Sequence, residues 1–189
     1  MASTGSDPAV RRLVVLRHAK SAYPPGVPDA QRPLSERGRT DAPRAGRWLA
    51  AHVGVVDLVV CSPAARTQDT WALAGAALGP VPVPVVVDPR VYGAAVDDLL
   101  AVLAEVDPAV GTLVLVGHSP GLPDLVVELV GPGPYPDPQE QARVASVAGK
   151  FPTCAVAVLH TDHPWSGLPA GGARLVALTS PRHPGPDWV

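Results

Sequence analysis

Residues 13–22 read LVVLRHAKSA, an apolar run that begins as a buried strand and then sets Arg17 and His18 side by side. A second run, TLVLVGHSPG at 112–121, likewise ends on a histidine, His118. Working outward, further short apolar runs stand at 57–62 (DLVVCS), 84–88 (PVVVD), 154–160 (CAVAVLH) and 173–179 (ARLVALT). Stretches of helical period separate them: Trp48, Leu49 and Val53 share one face, as do Val96, Leu99, Leu100 and Leu103, and Leu122, Leu125, Val126 and Leu129. Such alternation predicts an α/β fold of three layers (α/β/α), with a mostly parallel central sheet of about six strands. Only a loop separates the last two runs, so they are expected to close one edge antiparallel.

A chain of 189 residues, 47% hydrophobic and 17% charged, suits one globular domain and excludes a disordered chain. Residues 1–10 are small or polar and are expected to be a disordered tail, with 11–189 as a single domain. The 24 prolines and 18 glycines fall between the apolar runs and punctuate them. Segment 131–152 is dense in both and is expected to be a long loop bordering the site. A net charge of −2 gives no global reason to expect nucleic acid or an acidic membrane surface as partner. Among the basic residues only Lys20 and Lys150 are lysines, and the arginine bias favours planar, bidentate anion contacts. The first residues lack a signal-peptide core and no run reaches the ~20 apolar residues of a membrane span, so a soluble, cytoplasmic protein is expected. Cys61 and Cys154 form neither a metal spacing nor a disulfide framework and read as core residues. No metal and no cofactor are expected.

Two helix starts share a construction. In VVCSPAAR, Ser62 is placed to cap a helix that begins at Pro63; in LVGHSPGL, Ser119 and Pro120 repeat the pattern. Both would begin at carboxyl ends of strands, where open α/β sheets bind ligands and where free N–H groups favour an anion. His18 and His118 emerge at that edge; Arg17 accompanies the first, Arg66 lies in a first helical turn, and Arg32 in QRPLSERG is near enough to join them. Histidines and arginines gathered without a matching set of carboxylates are costly unless an anion completes them. A phosphoryl dianion fits. One imidazole is then a candidate nucleophile, kept neutral by cationic neighbours and able to form a phosphohistidine intermediate. His160, His163 and His183 read as ordinary surface or core histidines.

These motifs resemble a known family. LRHAKS is similar to the Arg-His-Gly type signature of the histidine phosphatase superfamily, CSPAARTQDT to its second element and LVGHSPG to its third. RPLSERGRTDAPRAGRWL, VYGAAVDDLL and FPTCAVAVL resemble the small phosphohistidine phosphatases of the SixA type. The resemblance spans about residues 12–182 and implies a phosphoglycerate mutase-like fold. It implies His18 as the phosphorylated nucleophile, with Arg17, Arg66 and His118 forming the phosphate pocket; Arg32 matches an arginine that joins the pocket in the SixA type, and Ser119 is counted among the phosphate-binding residues.

Where superfamily members that act on sugar or glycerate esters carry an acidic glutamate, this chain reads VDPRVYGAAVDD, whose carboxylates are Asp88, Asp97 and Asp98. An alkoxide leaving group, whose conjugate acid has a pKa of about 15.7, needs a proton donor. Imidazole, at about 6.5, needs far less help. The missing glutamate therefore favours an N–P substrate such as phosphohistidine over a small phosphate ester, the alternative within the superfamily, and the resemblance implies that a protein partner carries it. Two rivals lie outside it. GHSPG also fits the nucleophile elbow of α/β-hydrolases, with Ser119, Asp137 and His160 in the required order. A non-catalytic phosphoprotein-binding module would keep the pocket without turnover.

Overall fold

Each apolar run folds as a strand. In the computed structural model, which describes residues 10–181, these are β1 (Arg11–Arg17), β2 (Leu58–Cys61), β3 (Val85–Val87), β4 (Thr112–Gly117), β5 (Val156–Thr161) and β6 (Arg174–Thr179). The helices between them are α1 (Glu36–His52), α2 (Ala65–Gly75), α3 (Val96–Ala104), α4 (Gly121–Val130) and α5 (Pro138–Gly149). The six strands form one sheet in the order β3-β2-β4-β1-β5-β6. β1 through β4 run parallel, while β5 pairs antiparallel with both β1 and β6. The three-layer arrangement and the antiparallel edge are those expected from the pattern of runs.

The central strands are apolar throughout because both faces are covered. Leu13, Val15, Leu113 and Leu115 pack into the core beneath α3, α4 and α5, whereas Val14, Leu16, Val114 and Val116 pack beneath α1 and α2. All eight are buried, each worth roughly 1.5–3 kcal/mol, which fixes β1 and β4 in place. Their register sets Arg17 opposite Gly117, so the residues that follow, His18 and His118, leave the same edge side by side.

Three local expectations are corrected. Segment 131–152 is not a loop, since α5 occupies most of it. Asp137 caps this helix by accepting from Gln139 N at 2.8 Å, Pro138 opens it, and Val144 and Val147 face the core. Ser62 does not cap α2, which starts at Ala65 behind Ala64 with no side-chain cap bond. Ser119 does not cap α4, which starts at Gly121 behind Pro120. Ser62 is turned onto His118 instead. Of the expected tail, residues 1–9 lie outside the described residues, as does His183.

Candidate active site

The segment that carries His18 is pinned from several sides. His18 N donates to Gly117 O at 3.0 Å, Ala19 N to Thr70 Oγ1 of α2 at 2.9 Å, and Cys154 N to the carbonyls of Arg17 and His18. Lys20 O accepts from both the backbone and the hydroxyl of Ser35, the residue that caps α1. The first turn of α1 lies so close that a Cβ on Gly38 would stand 2.1 Å from Lys20 O, so only glycine fits there.

Hydrogen bonds assign the imidazole nitrogens. His18 Nδ1 lies 2.8 Å from Ala19 O; a carbonyl can only accept, so Nδ1 carries the proton and Nε2 keeps a free lone pair. For His118 the assignment reverses. Its Nδ1 lies 3.3 Å from Arg66 Nη2, which can only donate, so the proton resides on Nε2 and is donated to Ser62 Oγ at 2.8 Å. Burial pushes His18 down to about 3, with His118, Arg66 and Arg17 adding repulsion against the carbonyl's pull. Burial and then Arg66 push His118 down to about 4. Both rings are therefore neutral near pH 7, with centroids 5.2 Å apart.

The arginines surround these rings. Arg66, 5% exposed, donates to Asp29 O at 2.7 Å and to Asp29 Oδ2 at 3.0 Å. Arg32 pairs with Asp29 Oδ1 at 2.6 Å and stacks 4.0 Å from the Tyr23 ring. Arg17 Nη1 donates to Phe151 O. Even so, Arg17 Nε, Arg66 Nε and both Nε and Nη1 of Arg32 are buried without a partner. Unmet buried donors are costly, and these belong to residues that line one pocket of about 380 Å³. The positive charge these guanidinium groups gather around the pocket suits an oxyanion.

Every proposed site residue reaches this pocket: Arg17, His18, Arg32, Arg66 and His118, with Ser119 at its exposed rim. The hydrolase set does not assemble. His160 pairs with Arg12 at the far end of β1, roughly 16 Å of strand from the edge that holds Ser119, and Asp137 is engaged with the start of α5 and with Arg143. Nor do the three aspartates after β3 line the pocket: Asp88 pairs with Arg90, Asp98 accepts from Ala95 N at the start of α3, and Asp97 lies exposed beside it.

Sequence reasoning missed Asp29, Tyr92 and the part played by Ser62. Asp29 belongs to a short 3-10 turn in the loop after β1, where its carboxylate takes Arg66, Arg32 and the Tyr92 hydroxyl, the last at 2.6 Å. The Tyr92 bond, then the charges of Arg66 and Arg32, outweigh burial and hold this carboxyl at about 2. The cluster is thus not free of carboxylates, as the sequence suggested. The only local signal was the spacing of Asp29 three residues before Arg32. A cavity of about 500 Å³ between α5 and β6 has no His, Asp or Glu in its lining among the described residues. Among the described residues no His/Cys/Asp/Glu group is disposed to hold a metal ion, and no helix is long and apolar enough to cross a membrane.

Residues 13–97 match the model of the histidine phosphatase superfamily, branch 1. The uncharacterized protein Rv1276c of Mycobacterium tuberculosis is 37% identical over 167 residues, which span 88% of this chain and 100% of that protein. The chain belongs to the histidine phosphatase superfamily. Within this superfamily of phosphatases, a solved structure described as a candidate phosphohistidine phosphatase SixA from Nakamurella multipartitia is 34% identical, with a TM-score of 0.79 over 93% of this chain and 99% of that one. Mycobacterial glucosyl-3-phosphoglycerate phosphatase Rv2419c, at 22% identity and a TM-score of 0.60 over 89% of this chain and 98% of its own, shares the fold. The superfamily fold expected from the motifs is the one found.

Proposed function

We propose that this histidine phosphatase removes the phosphoryl group from phosphohistidine in a partner protein, through a covalent phosphate on His18. The observation that carries this reading is the state of the only carboxylate that lines the pocket among the described residues: Asp29 is held ionised by two arginines and a tyrosine and has no proton to give an alkoxide. An imidazole ring that already carries a proton on its second nitrogen leaves as the neutral base and makes no such demand. The likeness to the SixA structure supports the same choice.

The steps follow from the hydrogen bonding. The phosphoryl oxygens meet the guanidinium groups of Arg17, Arg32 and Arg66 that line the pocket, and Ser119 stands at the rim beside them. His18 Nε2 attacks phosphorus in line; the P–Nε2 bond forms as the substrate's P–N bond breaks, and the electron pair passes to the departing ring nitrogen. A dianion beside His118 favours protonation of its Nδ1, which turns that acceptor into a donor. Water then attacks phosphorus, and His18 leaves as neutral imidazole with its proton still on Nδ1.

Residues 11–189 are read as one domain, supported by a single sheet with a core on each face. A cytoplasmic site of action is consistent with two free, buried cysteines. The test compares turnover of a phosphohistidine protein with that of phosphoserine peptides and sugar phosphates. The phosphohistidine protein is expected to be preferred; much faster hydrolysis of the esters would replace this reading with that of a small-molecule ester phosphatase. Trapping a labelled phosphoenzyme distinguishes turnover from a module that only binds.

A further inference from the structure

We infer that Asp29 selects the protonated form of the substrate ring, its carboxylate accepting a hydrogen bond from the N–H of the phosphohistidine nitrogen that does not carry phosphorus. The inference rests on the phosphohistidine reading above and assigns to Asp29 a contact with the leaving group.

Position comes first. His18 lies at the floor of the pocket, 8% exposed, whereas the Asp29 side chain is 54% exposed at the mouth. In-line displacement sets the departing nitrogen across the phosphorus from His18, and so toward the mouth. Among the described residues, the side chains that line the pocket include no carboxylate besides Asp29. A carboxylate offers about four acceptor positions. Arg32, Arg66 and Tyr92 occupy three, which leaves one on an exposed group.

Charge makes the contact matter. A phosphoimidazole protonated on its second nitrogen departs as neutral imidazole, with no proton transfer when the P–N bond breaks. Without that proton it must depart as an imidazolate anion. Ala19 O already provides this arrangement for His18, holding its Nδ1–H while Nε2 gains and later loses phosphorus. Asp29 would serve the substrate ring in the same way. The other charged or titratable groups facing it are Arg32, Arg66, Tyr92 and His118, with Lys20 and Tyr23 beyond Arg32. Arg32, Arg66 and Lys20 are cationic, so without the carboxylate they would oppose a protonated ring.

The test assays wild type, Asp29→Asn and Asp29→Glu on N-phosphoimidazole and on p-nitrophenyl phosphate, an ester whose leaving group departs as a stable anion, between pH 6 and 8.5. The readout is the ratio of the two kcat/KM values. In Asp29→Asn this ratio is expected to fall roughly ten- to a hundredfold at pH 8, the worth of a charge-assisted hydrogen bond. It should return toward the wild-type ratio near pH 6, where a free ring with a pKa of about 6.5 is protonated unaided. Asp29→Glu keeps the charge and should keep a flatter ratio. If Asp29→Asn slows both substrates by one factor at every pH, Asp29 only positions the arginines, and the inference fails while the phosphohistidine reading stands. A wild-type protein that turns over the ester but not phosphoimidazole overturns both.

Discussion

His18 and His118 occupy equivalent places at the ends of two neighbouring parallel strands, yet the bonds around them differ in kind. His18 is fixed by a backbone carbonyl, an acceptor that neither titrates nor changes rotamer, and its Nε2 is left free. His118 is held by two side chains, Ser62 and Arg66, the second of which is itself tied to Asp29. Strand register decides where an imidazole stands. Its immediate partners decide which nitrogen is available, and whether that choice can respond to a bound charge.

The sharpest way to break this comparison is to delete each ring in turn. His18→Ala is expected to lower turnover by about 10⁴-fold or more and to abolish any labelled phosphoenzyme, as loss of a nucleophile does. His118→Ala should cost about 10²- to 10³-fold, the effect of removing one transition-state donor, and should still form the labelled species in a rapid-quench experiment. Equal losses would mean that the two rings act as one unit.

A smaller perturbation leaves both rings in place. Ser62→Ala removes the acceptor of the His118 Nε2 proton and is expected to lower kcat/KM about tenfold, the worth of a single hydrogen bond, while label still accumulates on His18. Loss of the label in this variant would place Ser62 nearer to the first step than its geometry suggests.

The smallest effect concerns stability. Both rings are neutral in the fold, at about 3 and about 4, against about 6.5 in an unfolded chain. As pH falls, the unfolded chain binds protons first, so the stability linked to these groups is complete above about 6.5 and is lost as pH drops through about 4 and then 3. Between pH 7 and pH 5, urea midpoints should fall less for His118→Asn than for wild type, by the equivalent of on the order of 1–2 kcal/mol. An identical fall would show that His118 carries charge in the fold.

Much of this was legible in the chain because strands covered on both faces must be apolar at every position. That constraint exposed the central strands β1, β2, β4 and β5 and the two histidines that end β1 and β4, whereas the edge strands β3, whose three valines are exposed, and β6 showed only as short apolar runs. Arg17 and Arg66 came with them, being adjacent to a strand or in a first helical turn. Asp29 and Tyr92 were not legible. Each sits in a short turn region with no period to read, and they are brought together only when two loops 63 residues apart fold over the same edge. Ser62 misled for a related reason: Ser-Pro before a helix is a local capping pattern, and its actual partner lies 56 residues away. Helix α5 was hidden by a narrow apolar face and by Glu140, a buried acid whose role is to accept from Leu175 N of β6.

The reversal of chain direction beside β1 has one more consequence. Because β5 runs antiparallel, the chain arrives at the pocket edge there and brings the carbonyl of Phe151 to Arg17. On the other flank Arg32 and Arg66 are held by the half-exposed charge of Asp29. Dissolved ions screen an exposed charge pair but scarcely touch a bond to a neutral, buried carbonyl. Rising ionic strength should therefore slacken the mouth of the site before it disturbs the floor, and substrate capture should weaken while the alignment of Arg17 with His18 persists.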